Sequence, residues 1–332
     1  MPPLIGYQAA HEQFTARELV EYGVLAEQAG FDTFVASDHF VPWMDIQGHA
    51  GHAWLTLAAL GQRTQRIRLG TGVTCPTYRY NPAIVAQAFA TLDVLCPGRV
   101  FLGVGTGEAL NEVTAGSGWG PYRERAGRLR EAITVIRRLW TGEWVDFAGE
   151  FYNLHSSRIY DTPANPLPIY VAASGPRSAR LAGEMGDGLI TVGGAFDQTV
   201  NGLQTVFAES ASLAGKDPER LSRLCELYVI AGDADDALGG AALWQHLGGV
   251  HGILDIADPR EIQRQAYERI DPQQLVDRWV VSPDPQVHVE VLRQLGDLGF
   301  THVTVHSTQA DQQHFLEFYG RDVLPALQRT GA

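Results

Sequence analysis

Asp38, His39 and Trp43 place an acid, an imidazole and an indole within six residues, directly after the apolar run Thr33-Phe34-Val35-Ala36. Histidine is the usual general base near neutral pH. A loop rich in Gly and His, Gln47–His52, follows. Three more stretches of this kind follow apolar runs. In Gly70-Thr71-Gly72-Val73-Thr74-Cys75-Pro76, glycine allows a bulge or the close approach of backbone to a flat ligand. In Gly103-Val104-Gly105-Thr106-Gly107-Glu108, a carboxyl stands at a glycine-rich strand end, with Asn111 within one turn of it. The stretch lacks the third glycine of a dinucleotide fingerprint. Ala172-Ala173-Ser174-Gly175-Pro176-Arg177-Ser178 leads into a helix, where free N–H groups, hydroxyls and the helix dipole make an anion site. Each stretch also has a plain structural reading as a turn, a cap or a first-turn acid. Four of them, each after a different strand, point to one shared site.

The elements that must position them alternate. Strands are expected at Leu4–Tyr7, Asp32–Ala36, Ile67–Gly72, Val100–Val104, Pro168–Ala172, Gly188–Val192, Leu224–Ile230 and Thr301–His306. Helices are expected at Ala16–Ala29, Ala53–Arg63, Pro82–Leu95, Tyr122–Trp140, Arg177–Met185, Thr199–Ala214, Gln286–Leu298 and Gln312–Gln328. Thr15 is a candidate N-cap and Gly30 a C-terminal stop for the first helix. Eight strand–helix alternations predict a (β/α)8 TIM barrel over residues 1–332, read as a single domain. Insertions are expected at about 143–166, where Ala148-Gly149 suggests a hairpin, and at about 231–275, near the face that carries the chemistry. Active sites of such barrels lie at the C-terminal ends of the strands.

Composition narrows the partners. Of 332 residues, 45% are hydrophobic and 19% charged, as in a globular chain with a large core. The net charge of −13 argues against nucleic acid or an anionic membrane as a partner. Lys216 is the only lysine, so any anion site must use Arg, backbone N–H groups or hydroxyls. Cys75, Cys96 and Cys225 show no ligand spacing, and the histidines His49, His52, His302 and His306 none either; no metal is expected. Three cysteines, no basic and apolar leader, and no long apolar run suggest a cytoplasmic protein.

On Ser37-Asp38-His39-Phe40 with Trp43, Tyr78-Arg79-Tyr80-Asn81-Pro82-Ala83, the run Arg99–Glu112 and Asp277-Arg278-Trp279, the sequence resembles a known family. It is that of the luciferase-like barrels that use the deazaflavin coenzyme F420, in the branch of the F420-dependent glucose-6-phosphate dehydrogenases. The resemblance implies that His39 takes the proton of the substrate hydroxyl while the carbon delivers hydride to C5 of the deazaflavin. It implies that Glu108 supplies a proton to the reduced ring and that Trp43 shields the charge-separated transition state. Asp38 would contact the cofactor and help fix the site, and Gly72-Val73 would form a non-prolyl cis bulge behind the ring. Cys75, Glu108 and Asn111 would line the ring and ribityl chain, and Ser174, Gly175 and Pro176 would hold the phosphate. Homodimers are implied as well.

One departure from the family bears on the substrate. Where those enzymes hold a sugar phosphate with a Thr, two Lys and an Arg, this chain has Val192, Ala195, about Ile253, and Arg278. A phosphate dianion there would be poorly compensated. The expectation is an F420-dependent dehydrogenase of an unphosphorylated sugar or other alcohol, with Trp43 and these four positions facing the substrate. The alternatives are a true glucose-6-phosphate dehydrogenase with a divergent phosphate site, or a reductase that passes hydride from the reduced coenzyme to an activated C=C or carbonyl.

Overall fold

A computed structural model describes residues 2–192 and 198–329, the side chains of 198–201 excepted. Its elements are β1 (Leu4–Ala9), α1 (Ala16–Ala29), β2 (Thr33–Ala36), α2 (Ala53–Gly61), β3 (Arg68–Thr71), α3 (Pro82–Leu95), β4 (Val100–Val104), α4 (Ala109–Glu112) and α5 (Tyr122–Trp140). The hairpin β5 (Val145–Ala148) and β6 (Asn153–Ser157) follows, then β7 (Ile169–Ala172), α6 (Pro176–Met185), β8 (Gly188–Val192), α7 (Gln198–Leu213) and β9 (Ser222–Ile230). The chain continues through α8 (Ala234–Leu243), α9 (Pro259–Arg269), α10 (Gln273–Val276), β10 (Val280–Val281), α11 (Pro285–Asp297), β11 (His302–Ser307), α12 (Gln312–Phe318) and α13 (Leu324–Arg329).

Eight parallel strands run in the order β9-β11-β1-β2-β3-β4-β7-β8, and β8 pairs back onto β9 to close the barrel. The register carries the ends of neighbouring strands to a common level: Ala9 pairs with Ala36, and Ala36 with Thr71. The expected (β/α)8 barrel is therefore present. Local chemistry accounts for several boundaries. Thr15 accepts the Glu18 N–H and Glu18 reaches back to Thr15, closing a capping box on α1, while Gly30 ends it in the left-handed region at φ 97°. Asn81 caps α3 by accepting the Ala83 N–H at 2.8 Å, with Pro82 in the first turn.

Inside the barrel, Val35, Phe101, Tyr170, Ile190 and Leu224 form one packed layer. A larger apolar core lies between strands and helices. Both faces of the strands are thus buried, which is why they read as continuous apolar runs.

The sequence reading differs from the structure in detail. β10 and the one-turn helices α4 and α10 are too short to show periodicity. The closing helix is not uniform: a π turn at Tyr319–Val323 separates α12 from α13, just before Pro325, which has no N–H to continue the ladder. The hairpin pairs Phe147 with Leu154. It is pinned by the Glu131 carboxylate of α5, which accepts the N–H groups of Glu150, Phe151 and Tyr152. Residues 231–275 hold α8 and α9 with 3-10 turns at Gln245–Gly248 and Ile253–Asp255. No helix among the described residues is long and apolar enough to cross a membrane.

Candidate active site

Beyond β3 the Gly72–Val73 peptide is cis, at the expected position. The chain then stays tied to β4: Thr74 N–H donates to Gly103 O at 2.9 Å, and Gly105 N–H donates to Thr74 O at 3.0 Å. A Cβ on Gly105 would stand 2.8 Å from Val73 Cγ2, so glycine here makes room for the Val73 side chain. Together they form one wall of a cavity of about 290 Å3 at the C-terminal end of the barrel.

Gly72, Val73, Cys75, Glu108, Ser174 and Val192 all line this cavity. Gly175 and Pro176 open α6 immediately after Ser174. Val35, Ile190 and Leu224 continue the packed barrel layer into the cavity, with Gln8, Thr304 and Glu226 beside them. Arg125 lies among the lining residues and donates to Gly107 O at 3.2 Å and Gly120 O at 3.1 Å. Burial pushes the Cys75 thiol well up, and the nearby Glu108 and Glu112 add to the shift, so this sulfur stays neutral.

His39 does not line the cavity but is wired to it. The Asn111 carboxamide oxygen accepts the N–H groups of Phe40 (2.7 Å) and Val41 (3.2 Å). That fixes the amide orientation and turns its NH2 toward His39 Nδ1 at 3.1 Å and toward Glu108 Oε1. On the other side of the ring, Nε2 faces Glu12 Oε1 at 3.4 Å. In the neutral ring, Nε2 carries the proton toward Glu12, and Nδ1 accepts from Asn111. When Nδ1 takes a proton, Val41 O waits at 3.2 Å to accept it. Both charge states of His39 therefore have partners.

Glu12 is 2% exposed and was not singled out from the sequence. Its signal is faint: a lone acid in the loop after β1, beside His11. Ser37 Oγ donates to Glu12 Oε2 at 2.7 Å, which fixes the carboxylate.

Asp38, expected to contact the cofactor and help fix the site, is held by several side chains of this protein. It is 2% exposed, absent from the cavity wall, and saturated by this chain. Thr74 Oγ1 (2.5 Å), Tyr80 Oη (3.1 Å) and Arg79 (3.2 Å) all donate to its carboxylate. Asp38 ties the loop after β2 to the loop after β3. The motif Tyr78-Arg79-Tyr80 is half-buried, and Arg79 also faces Glu112 at 3.8 Å. Glu112 is fully buried, and desolvation lifts its carboxyl to about 7 despite Arg79.

Trp43 lies between two imidazoles, with ring centroids 5.1 Å from His39 and 5.3 Å from His246, the latter stacked. Burial, helped by His39 and His306, pushes His246 down to about 3, so its ring stays neutral. Glu226 accepts from His306 at 2.7 Å and presents a carboxylate to the cavity. Neither His246 nor Glu226 stood out in the sequence, since each needs the fold to acquire its neighbours.

Of the four positions assigned to a substrate phosphate, three lie among the described residues. Val192 is exposed at the cavity rim. Ala195 lies outside the described residues. Ile253 packs beside Met44 and Val250, and its neighbour Leu254 lines the cavity instead. Arg278 is exposed on the surface, donating to the main-chain oxygens of Gln274 and Leu247. No group of acids, cysteines and histidines among the described residues could hold a metal ion.

Comparison with known proteins identifies the family of the chain. The model of the family described as luciferase-like monooxygenase matches residues 2–302. An F420-dependent glucose-6-phosphate dehydrogenase of Intrasporangium calvum is 47% identical, over 98% of each chain. An F420-dependent hydroxymycolic acid dehydrogenase of Mycobacterium tuberculosis is also 47% identical, over 98% of this chain and 88% of its own. A solved F420-dependent secondary alcohol dehydrogenase, in complex with an F420-acetone adduct, superposes with a TM-score of 0.92 at 32% identity, over 98% of this chain and 99% of that one. The chain belongs to the luciferase-like family, in its branch of coenzyme F420-dependent dehydrogenases.

Proposed function

We propose that this protein is a coenzyme F420-dependent dehydrogenase that oxidises a sugar or other alcohol carrying no phosphate, with His39 as the base. The chain Glu12–His39–Asn111–Glu108, which ends in the cavity, carries the reading. Oxidising an alcohol requires a group that removes the hydroxyl proton, and His39, joined to the cavity through Asn111 and Glu108, is the imidazole that supports this role. Glu12 faces the opposite nitrogen and stabilises the imidazolium. Trp43 offers its ring to the same charge.

The residues present fit the coenzyme. The wall formed by Gly72, Val73 and Gly105 is small and apolar, with Val35 beside it, as suits a flat ring system. The hydroxyls of Ser174 and Ser178 at the start of α6 suit its phosphate. When bound, the deazaflavin supplies the hydride acceptor, at C5. Glu108, held through Asn111, supplies a carboxyl oxygen that can hold a proton at the ring's edge. Asn111 orients both His39 and Glu108, and Asp38 fixes the loops behind them.

The substrate half of the reading rests on charge. Glu108 and Glu226 put two carboxylates on the cavity, and the one cation that lines it among the described residues, Arg125, donates to the backbone carbonyls of Gly107 and Gly120. A phosphate dianion would meet repulsion and an apolar rim at Val192 and Leu254. We also read residues 1–332 as one barrel unit with two insertions, acting as a cytoplasmic homodimer.

The test is bleaching of the oxidised coenzyme's visible absorbance with glucose and glucose 6-phosphate as paired donors, extended to simple secondary alcohols. Turnover with unphosphorylated donors only is the expected result. Faster turnover of the phosphate ester would overturn the substrate assignment and leave the cofactor in place.

A further inference from the structure

The cavity carries a second carboxylate, Glu226, that the proton transfer at His39 leaves unused. Glu226 stands on β9, whose pairing with β11 sets it opposite Thr304 and sets Tyr228 opposite His306. Residues two apart on a strand share a face, so these four side chains point to the same side of the sheet. Glu226 and Thr304 both line the cavity. His306 Nδ1 donates to Glu226 Oε1 at 2.7 Å. The His306 ring is itself fixed: Tyr228 stacks on it and Trp244 meets it edge-on, each with centroids 4.6 Å away. The carboxylate is thus held at one oxygen, and its side chain keeps 14% of its surface open. A carboxylate can accept at both oxygens, so the pair has capacity to spare. It also lies close to the base. Ring contacts run from His39 to Trp43, His246, Trp244 and His306, at 5.1, 5.3, 5.7 and 4.6 Å in turn. The Tyr228 hydroxyl has both Glu226 and Glu12 as charged neighbours, and Glu12 faces His39 Nε2. His39 and Glu226 are therefore separated by shared neighbours rather than by whole elements of the fold.

We infer that Glu226, positioned by His306, accepts a second hydroxyl of the substrate, so that the electron donor is a sugar or polyol rather than a simple secondary alcohol. The inference rests on the dehydrogenase reading and deepens its substrate half. A donor with one hydroxyl gives that proton to His39 and leaves the Glu226 carboxylate without a partner from the substrate. A donor with further hydroxyls satisfies both groups. A site that hydrogen-bonds a substrate hydroxyl discriminates against analogues that lack it, because its own polar group is then left unpaired. His306 acts through Glu226 and touches no reacting atom; its N–H sets where the carboxylate oxygen stands.

The experiment compares glucose and 2-propanol as donors, by bleaching of the oxidised coenzyme, in the unaltered protein and in two variants. Glu226→Gln keeps the side chain's shape and replaces a charged acceptor with a neutral one. Its ratio of kcat/KM for glucose to that for 2-propanol should fall about tenfold or more, as for a lost hydrogen bond to a charged group, with the loss appearing in the KM for glucose. His306→Phe keeps a ring between Tyr228 and Trp244 and removes the N–H, and the ratio should fall in the same direction. An unchanged ratio in Glu226→Gln, or equal losses with both donors, would overturn the inference. So would weaker quenching of coenzyme fluorescence by Glu226→Gln, which would put the carboxylate on the cofactor. An unchanged ratio in His306→Phe would overturn the positioning role of His306. Turnover of 2-propanol without turnover of glucose in the unaltered protein would overturn the inference and leave the dehydrogenase reading in place. Turnover of neither would overturn both.

Discussion

Asn111 is the joint of the active site, and its replacement separates structure from chemistry. The residue is fully buried. Its oxygen accepts from Phe40 and Val41, and its NH2 serves His39 and Glu108. Asn111→Leu keeps the volume and removes all four partners. Two main-chain N–H groups are then left unmatched at about 1–3 kcal/mol each, a loss of about 2–6 kcal/mol in stability. The unfolding midpoint followed by circular dichroism should fall by several degrees. Asn111→Asp keeps an oxygen for both N–H groups, so the midpoint should stay close to that of the unaltered protein. It sets a carboxylate against Glu108, where the NH2 was, so the two must share a proton. It also turns His39 Nδ1 into a donor, which removes the base. Turnover, read as loss of the coenzyme's visible absorbance, should fall about 100-fold or more. A stable Asn111→Asp protein with turnover within a few-fold of normal would refute the reasoning, because the bridge would then carry no catalytic burden.

Three further outcomes are expected. His39→Ala should still quench coenzyme fluorescence but lose about 100-fold or more in turnover; unchanged turnover would assign the base elsewhere. Val192→Lys places a cation at the apolar cavity rim and should bring in turnover of glucose 6-phosphate while turnover of the unphosphorylated donor stays the same; no gain with the phosphate ester, or an equal change with both, would exclude a phosphate contact there. Glu112 tests pH dependence: its folded carboxyl titrates at about 7, against about 4.3 in an unfolded chain. The folded state thus retains a proton that the unfolded state has lost. The stabilisation from this group is complete below about pH 4 and is lost as pH rises through 7, on the order of 3 kcal/mol in all. Glu112→Gln cannot ionise, so its midpoint should gain on that of the unaltered protein between pH 5 and pH 8; midpoints that run parallel would show that Glu112 is ionised throughout.

The barrel was legible in the residues because its signals are local. Thr15 and Glu18 with Gly30, and Asn81 with Pro82, mark helix ends by side-chain and backbone chemistry within a few positions. Strands buried on both faces show as apolar runs. His39, Glu108 and the cis bulge at Gly72–Val73 stood at strand ends, where a parallel barrel concentrates chemistry. The family motifs named the cofactor.

Tertiary structure decided what those groups can do. Glu12 and His39 are 27 positions apart, and only the pairing of β1 with β2 sets them face to face. Asp38 seemed free to meet a ligand until Thr74, Tyr80 and Arg79 were seen to saturate it. Arg278 matched a phosphate ligand in its motif, yet the fold turns it to solvent. Burial sets the charge of Glu112 and His246, and burial is a property of everything packed around a side chain. Residue types and spacing thus determine the local geometry and the available chemistry. Which groups meet, and in which protonation state, depends on contacts between chain segments far apart in sequence.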